Sequence, residues 1–218
     1  MKSKNIFLRI PDTLTLMNLI LGFGSILYSI EADYNKAALL ILLAMMADAG
    51  DGFFARVLKK ESRLGMELDS LADMVSFGIA PAILIYQHYL GFNEAIAVVL
   101  IPICSAIRLA RFNILEDKTT FTGLPTPAVG GFFASLIFTG KTLTTYHIVF
   151  SATVLSYLMI SEIKYPAYKK IHFKKPPKTL ILLFISALPV LFGREYFIVP
   201  ILTYIILGFV LDLGRRLR

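Results

Sequence analysis

Long apolar stretches separated by short polar ones run through almost the whole chain. Eight of them approach the roughly 20 residues that a helix needs to cross the hydrocarbon core of a bilayer. They lie at about 12–31, 35–57, 67–90, 93–115, 125–140, 143–162, 179–193 and 195–213. The fifth and seventh are short, and six spans plus a hairpin are the main alternative. The pattern predicts an all-α integral membrane protein with about eight transmembrane helices.

The basic residues orient these predicted helices. If the N-terminus is inside and the sides alternate, the inside segments hold 19 of the 22 lysines and arginines, and the outside segments hold Lys36, Lys141 and Arg194. Such an excess on the cytoplasmic side is typical of membrane proteins. We therefore expect both termini and the basic loop 169–178 in the cytoplasm, where the loop sets topology and contacts anionic lipid head groups.

The composition agrees with a membrane location. The chain has 218 residues, of which 56% are hydrophobic and only 17% are charged, and its mean hydropathy is +0.71. About a quarter of the residues of a soluble domain are charged. A net charge of +7 would suit a nucleic-acid partner, but the basic residues lie where apolar runs end, so no nucleic acid is expected. The single cysteine, Cys104, excludes an intramolecular disulfide.

Four aspartates interrupt the second and third predicted spans. Asp48 and Asp51 are three residues apart and Asp69 and Asp73 are four apart, so each pair shares one face of its helix. An ionised side chain in hydrocarbon costs at least ~2.5 kcal/mol, so these carboxylates must face water, a cation or one another. The short basic linker predicts two antiparallel helices with both pairs near the cytoplasmic side. Carboxylate oxygens suit Mg²⁺ or Mn²⁺, and two such ions would clamp a phosphoryl group during displacement.

Small residues accompany the aspartates. Ala49, Gly50, Gly52 and Ala55 leave one region of the second helix without large side chains, and Gly65 opens the turn before the third. A glycine inside a helix costs about 1 kcal/mol. Either another helix packs closely here or a ligand approaches the backbone, and the neighbouring carboxylates favour the ligand.

Eight of these residues stand at fixed gaps in the pattern Asp48-x2-Asp51-Gly52-x2-Ala55-Arg56-x8-Gly65-x3-Asp69-x3-Asp73. The pattern resembles the signature of the CDP-alcohol phosphotransferases at every position. This resemblance implies an integral membrane enzyme that moves a phosphatidyl-type group from a CDP-linked lipid to an alcohol and releases CMP. It also suggests a homodimer.

The resemblance implies roles for individual residues. Asp48, Asp51 and Asp69 would hold two Mg²⁺ or Mn²⁺ ions, and Asp73, also near the metals, would be the general base that takes the proton from the acceptor hydroxyl. The CDP-lipid site would include the signature residues Gly52, Ala55, Arg56 and Gly65, with the guanidinium of Arg56 near a phosphate.

Asn18 is a polar residue inside the first predicted span. It is either part of the nucleotide pocket, and so a further CDP-lipid-binding residue, or the donor of a hydrogen bond between helices.

Segments outside the signature resemble the membrane-type, serine-using branch of the family, the CDP-diacylglycerol–serine O-phosphatidyltransferases. They cover roughly residues 10 to 168 and read TLTLMNLILGF, ELDSLADMVSFGIAPA, AIRLARFNI, FTGLPTPAVGG and SYLMISEIKYP. The resemblance favours serine over glycerol phosphate or inositol as acceptor. Arg108 and Arg111, with Asn113 as a polar neighbour, would hold the serine carboxylate; for the two arginines, ordinary flanking of a membrane span is the alternative.

We expect a catalytic transmembrane core at 1–168, a basic loop at 169–178 and a C-terminal helix pair at 179–218. The site would face the cytoplasm from a multi-pass position in the cell membrane. An archaetidylserine synthase using CDP-archaeol, or another CDP-alcohol phosphotransferase, fits the same residues.

A divalent-cation transporter would also keep carboxylates in the membrane. Its ligands are expected near the midplane on broken helices, whereas these acids lie in one hairpin beside Arg56. A catalytically inactive scaffold would have no reason to keep all four acids.

Overall fold

A computed structural model describes residues 10–58, 63–91, 94–114, 121–165, 182–183 and 187–216, with the backbone alone for 10–12, 51–58, 63, 121, 189, 192 and 216. Its helices are α1 (Ile10–Ile30), α2 (Tyr34–Leu58), α3 (Arg63–Asp73), α4 (Ala80–Tyr89), α5 (Ala95–Ile114), α6 (Thr126–Phe138), α7 (Thr145–Ile160) and α8 (Ile198–Arg216). A π-helical segment, Met74–Ile79, joins α3 to α4, and the 3₁₀ turns Leu188–Phe192 and Arg194–Tyr196 precede α8. Two short strands, β1 (Phe121–Thr122) and β2 (Lys164–Tyr165), complete the described elements.

Four helical stretches in the described part of the chain are long and apolar enough to cross a membrane: Thr13–Ile30, Leu64–Tyr89, Ala95–Ile114 and Arg194–Arg215. α6 and α7 are apolar but shorter. The predicted all-helical, membrane-type architecture is confirmed at this level, while the count of eight spans and the orientation of the termini stay predictions. Residues 179–181 and 184–186 of the predicted seventh span, 179–193, lie outside the described residues.

Large apolar side chains point outward along the described helices. Ile20 is 68% exposed, Ile96 is 79% exposed and Phe150 is 70% exposed. A soluble monomer rarely exposes so much contiguous apolar surface, whereas a bilayer surrounds such side chains with hydrocarbon. The apolar outer surface is therefore the kind of surface that a lipid bilayer surrounds.

α1 and α2 form a hairpin through the turn at 31–33. Asp33 caps α2, since its Oδ1 accepts the Lys36 N–H at 3.2 Å. Along α2, Ala37, Ala38 and Ala44 are fully buried, and such small residues let two helix backbones approach closely. The hairpin brings the half of α2 that carries Asp48 back along the first half of α1.

The π-helical segment follows directly after Asp73. Pro81 has no N–H to donate to the carbonyl of Phe77, and its ring crowds that carbonyl, which favours a widened turn. Small residues on three helices meet the segment. A Cβ on Gly22 of α1 would lie 2.6 Å from Ser76 Cα, and one on Gly130 of α6 would lie 2.9 Å from Phe77 Cα.

The third contact with this segment comes from α5, where Ser105 Cβ would lie 3.2 Å from a Cβ on Gly78. The segment is therefore enclosed by α1, α5 and α6. Any shift of these helices would reach the backbone next to Asp73.

The two strands are a departure from the purely helical prediction. They pair antiparallel, with Phe121 opposite Tyr165 and Thr122 opposite Lys164. Gly123 continues the connection with a φ of +82°, and a Cβ there would overlap the carbonyl oxygen of Met159. Its N–H donates to Ile163 O at 2.9 Å, so the chain entering α6 is bound to the chain leaving α7.

Candidate active site

Three of the four aspartates come together between α2 and α3. Asp48, Asp69 and Asp73 each offer a carboxylate oxygen, and these oxygens lie within 4.8 Å of one another. Asp73 is 7% exposed, and the other two are half-buried. The spacing of four residues between Asp69 and Asp73 puts both on one face of α3, as expected for neighbours on a helix surface.

Asp73 is held by α1. Asn18, which is fully buried, donates from Nδ2 to Asp73 Oδ1 at 3.1 Å. The hydroxyl of Ser76, in the π-helical segment, donates to the Asn18 carbonyl oxygen at 2.9 Å. The structure shows the hydrogen bond between helices, and that bond orients the carboxylate predicted to be the base. The role of Asn18 in the nucleotide pocket stays a prediction.

The remaining residues of the signature are only partly described. Asp51, Gly52, Ala55 and Arg56 lie on the last turns of α2, but their side chains lie outside the described part of the structure. Gly65 lies in the first turn of α3. The predicted roles of these five residues toward a CDP-lipid or a metal stay predictions.

Arg108 of α5 is a buried cation close to this cluster. It is 8% exposed, and it interacts electrostatically with Asp73. Its Nη1 donates to Thr126 Oγ1, on the first residue of α6, at 3.0 Å. Its Nε is buried without a hydrogen-bond partner in the described residues. A buried guanidinium with an unused N–H is well suited to bind an anionic group.

The other two predicted serine ligands, Arg111 and Asn113, make hydrogen bonds to protein groups, and their role toward serine stays a prediction. Arg111 is exposed and its Nη1 donates to the Ile160 carbonyl oxygen at 2.9 Å, at the end of α7. Asn113 Nδ2 donates to Ser70 Oγ at 3.1 Å and to Glu67 Oε2 at 3.2 Å. In this arrangement Arg111 and Asn113 tie α5 to α7 and α3.

Two residues near the site were not among the sequence candidates. Ser76 and Thr126 fix Asn18 and Arg108 through their hydroxyls. The stretch FTGLPTPAVGG signalled Thr126 as part of a motif, but no local pattern signals the hydrogen bond between Ser76 and Asn18.

The donor set fits a divalent metal. Carboxylate oxygens are the ligands that Mg²⁺ and Mn²⁺ prefer. Three of them within 4.8 Å repel one another unless a cation or protons compensate their charge. Asp48, Asp69 and Asp73 would hold the ion.

Comparisons with known proteins agree with this geometry. Residues 8–158 match the sequence model of the CDP-alcohol phosphatidyltransferase family, and the chain therefore belongs to that family. This confirms the resemblance inferred from the aspartate pattern.

The individual relatives carry two different names. Over 168 residues the chain is 40% identical to the archaetidylserine synthase of Methanothermobacter thermautotrophicus, covering 73% of this chain and 70% of that protein. It is 38% identical over 165 residues to the CDP-diacylglycerol–serine O-phosphatidyltransferase of Bacillus subtilis, covering 74% and 92%. It is 36% identical over 206 residues to the Methanocaldococcus jannaschii protein of that same name, covering 92% of each.

Proposed function

We propose that this protein transfers a phosphatidyl group from CDP-diacylglycerol to the hydroxyl of L-serine and releases CMP. The observation that carries the proposal is the cluster of Asp48, Asp69 and Asp73, with carboxylate oxygens within 4.8 Å of one another, beside the buried Arg108. Carboxylates that gather metal and a guanidinium that binds an anion are what this reaction requires. The serine-specific relatives support the choice of acceptor.

In the proposed reaction, Asp73 takes the proton from the serine hydroxyl. Asn18 holds Oδ1 of Asp73 at 3.1 Å, so we assign the proton to Oδ2. The serine oxygen then bonds to the phosphorus that carries the diacylglycerol, and the bond from that phosphorus to the CMP oxygen breaks with its electron pair. A positioned base of this kind typically contributes 10²–10⁴-fold to the rate.

A divalent cation at Asp48, Asp69 and Asp73, with Asp51 as a fourth ligand, would neutralise charge on the transferring phosphate and on the leaving CMP. We propose Mg²⁺ or Mn²⁺, in two ions. The last turns of α2 would also bind the nucleotide. Gly52, Ala55 and Arg56, together with Gly65 of α3, would line the CDP end of the site.

Serine brings a carboxylate that must be recognised at some distance from the attacking hydroxyl. We propose Arg108 as its main ligand, since its Nε is buried and unpartnered while Thr126 fixes Nη1. Arg111 and Asn113 contribute more weakly, because both already make hydrogen bonds to protein groups.

An ether-linked donor is the second candidate. The archaetidylserine synthase at 40% identity favours CDP-archaeol as the lipid. Apolar side chains that face hydrocarbon distinguish ester from ether chains poorly, so the two donors share every residue proposed above.

The proposed enzyme is a multi-pass protein of the cell membrane with eight spans, both termini in the cytoplasm and the active site open to the cytoplasm. Residues 1–168 would form the catalytic core, 169–178 a basic loop, and 179–218 a C-terminal pair of helices. We further propose a homodimer embedded in membrane lipid.

The test is CMP release from purified full-length protein with Mn²⁺ or Mg²⁺, using CDP-diacylglycerol and CDP-archaeol with each candidate alcohol. We expect release that depends on serine and is lost on chelation. Release with a different alcohol would keep the family reaction and reject serine. No release with either donor and any alcohol would favour a divalent-cation transporter.

A further inference from the structure

A cavity of about 500 Å³ lies at the end of the molecule away from the aspartate cluster. The turn between α1 and α2, the end of α4 and the loop between α6 and α7 form its walls, with Tyr34 and His88 among the lining residues. About 14 residues of α2 separate Tyr34 from Asp48, which corresponds to roughly 21 Å of helix. The cavity is therefore separate from the candidate active site.

Three hydrogen bonds hold the walls of this cavity together. Tyr34 Oη, on α2, donates to the Gln87 carbonyl oxygen of α4 at 3.1 Å. Tyr89 Oη, on α4, donates to the Lys141 carbonyl oxygen at 3.0 Å. Thr145 Oγ1, at the start of α7, donates to the Tyr89 carbonyl oxygen at 3.2 Å. The cavity consequently has a defined shape, as preformed ligand sites do.

Basic residues converge on this cavity although they are scarce at this end of the chain. Of the 22 lysines and arginines, the predicted topology places only Lys36, Lys141 and Arg194 outside. Lys141 lines the cavity. Arg194 Nη2 lies 3.8 Å from the position of a Cβ on Gly140, which also lines it. Lys36 forms an ion pair at 2.8 Å with the lining residue Asp33. All three cations that depart from the cytoplasmic bias of basic residues thus meet at one place.

Charges of both signs line the cavity without compensating each other. Lys36 and Asp33 form an ion pair. Glu31 and Lys141, both in the described part of the chain, line the same cavity yet form no ion pair with each other. Separated opposite charges on the walls of one cavity suit a ligand that carries both charges itself. A lysine and an arginine together suit the oxygens of a phosphate, and a carboxylate suits an ammonium.

The surroundings of the cavity indicate a lipid as the source of these charges. α1 and α4 belong to stretches that are long and apolar enough to cross a membrane, and the cavity lies where both stretches end. Ile30, directly before the lining residue Glu31, is 63% exposed. Tyr34 and Tyr89 are of the residue type that is enriched where a membrane meets water. A head group in the cavity would therefore lie directly beside the apolar surface that its chains need.

We propose that this cavity binds the head group of a phospholipid in the leaflet away from the aspartate cluster, with the phosphate at Lys141 and Arg194 and an amino group at Glu31. Free phosphoethanolamine carries the same two charges, but the adjoining apolar surface favours the lipid. The site is independent of the proposed transfer reaction, so either can be correct without the other.

The test uses purified full-length protein in a neutral detergent and dioctanoyl-phosphatidylethanolamine as the probe. Hydrogen–deuterium exchange locates the bound lipid, and we expect it to slow exchange at 31–35 and 140–142. Native mass spectrometry gives the affinity. Lys141→Gln and Arg194→Gln should each weaken binding about tenfold, as the loss of a hydrogen bond to a charged group does. Unchanged affinity in both variants would overturn the phosphate site.

Glu31→Gln tests the amino group separately. It should weaken binding of dioctanoyl-phosphatidylethanolamine about tenfold, since a charged partner is lost. Binding of dioctanoyl-phosphatidylglycerol, which has a phosphate but no amino group, should not weaken. Equal weakening for the two lipids would reject Glu31 as the partner of the amino group.

Lys164→Gln and Arg215→Gln are the matched controls, because they remove the same charges from exposed side chains outside the cavity. Both should leave the affinity within twofold. Dioctanoylglycerol, which lacks the phosphate, should not slow exchange at 31–35 or 140–142, and slowing equal to that by the phospholipid would overturn the proposal. Free phosphoethanolamine that binds as tightly as the lipid would overturn the membrane as its source.

Discussion

Acidic side chains lie at the turn of the α1–α2 hairpin and, at its other end, between α2 and α3. The two groups of acids differ in how their negative charge is compensated. At the turn, Asp33 forms an ion pair with Lys36 at 2.8 Å, and both side chains are well exposed. The hydrogen bond from Lys36 lowers the pKa of Asp33 below its ordinary value of 3.8. At the other end, Asp48, Asp69 and Asp73 have oxygens within 4.8 Å of one another, and Asp73 is buried.

The difference shows which acids are arranged for a ligand. Exposed pairs such as Asp33–Lys36 are compensated locally and contribute little to stability in water. The clustered carboxylates on α2 and α3 lie in a region where charge is poorly screened, so their mutual repulsion is costly. Such costly arrangements of charge are typical of binding and catalytic sites. The number of acidic residues near a membrane surface therefore does not indicate function. Whether each acid has a local cationic partner or lies in a cluster of other acids does.

The largest expected effect comes from replacing an aspartate by asparagine in the cluster, compared with the same replacement at the turn of the hairpin. Asp73→Asn should lower kcat for CMP release by about 10²–10⁴-fold, because the base is lost while the shape is kept. Binding of CDP-lipid should change much less, which a direct binding assay checks. Asp33→Asn, the control at the turn, should leave kcat within twofold. Equal loss of binding and turnover in Asp73→Asn would reject its role as base.

The next effect concerns the hydrogen bond that orients Asp73. Asn18→Ala should lower kcat about 10–100-fold, since hydrogen bonds to charged groups are worth about 1.5–3 kcal/mol. Single-turnover kinetics at saturating substrates would measure it. The KM for serine should change little, and a rise in that KM without a change in kcat would place Asn18 in substrate binding instead.

A smaller effect is expected from packing against the π-helical segment. Gly22→Ala places a Cβ against the Ser76 backbone and should destabilise the protein by about 1–3 kcal/mol, as overpacking does. Gly24→Ala on the same helix meets only the flexible end of Leu40, at 3.2 Å, and should be neutral. Thermal unfolding in detergent gives both values, and equal shifts for the two variants would contradict the close contact.

The smallest effect is at the turn. Because the pKa of Asp33 is lowered in the folded protein, its ion pair adds stability above the ordinary value of 3.8 and loses it as the pH falls through the lowered value. Asp33→Asn should therefore lower Tm slightly at pH 7, and the difference should shrink as the pH falls below 3.8. Addition of 1 M salt should remove the difference at pH 7, since exposed pairs are screened. A difference that does not shrink with falling pH would show that the ion pair is not its source.

Helical periodicity was sufficient to predict that Asp48, Asp69 and Asp73 lie close together. The intervals 48–51 and 69–73 place carboxylates on defined helix faces, and a short linker makes those helices neighbours. The aspartate spacing also identified the family, because fixed gaps in a helix hairpin are tied to geometry. The all-helical, membrane-type architecture follows from the apolar runs alone.

Contacts between distant parts of the chain were beyond such reasoning. Asn18 and Asp73 are 55 residues apart, and whether their side chains meet depends on how closely α1 approaches α3. The π-helical segment depends both on Pro81 and on the space that Gly22 and Gly130 leave for a wider turn. The hydrogen bond from Arg108 to Thr126 requires the packing of α5 against α6, which has no local signature.

The π-helical segment also changes the angle about the helix axis at which the side chains of α4 point relative to those of α3. A π turn contains one more residue than an α turn, and one residue of an α-helix corresponds to a rotation of about 100°. Deletion of one residue from Met74–Ile79 would restore an unbroken α-helix and rotate the face of α3 that carries Asp69 and Asp73 relative to the buried face of α4. The extra residue therefore lets one long helical stretch, Leu64–Tyr89, present acids to the candidate active site and apolar side chains to the core.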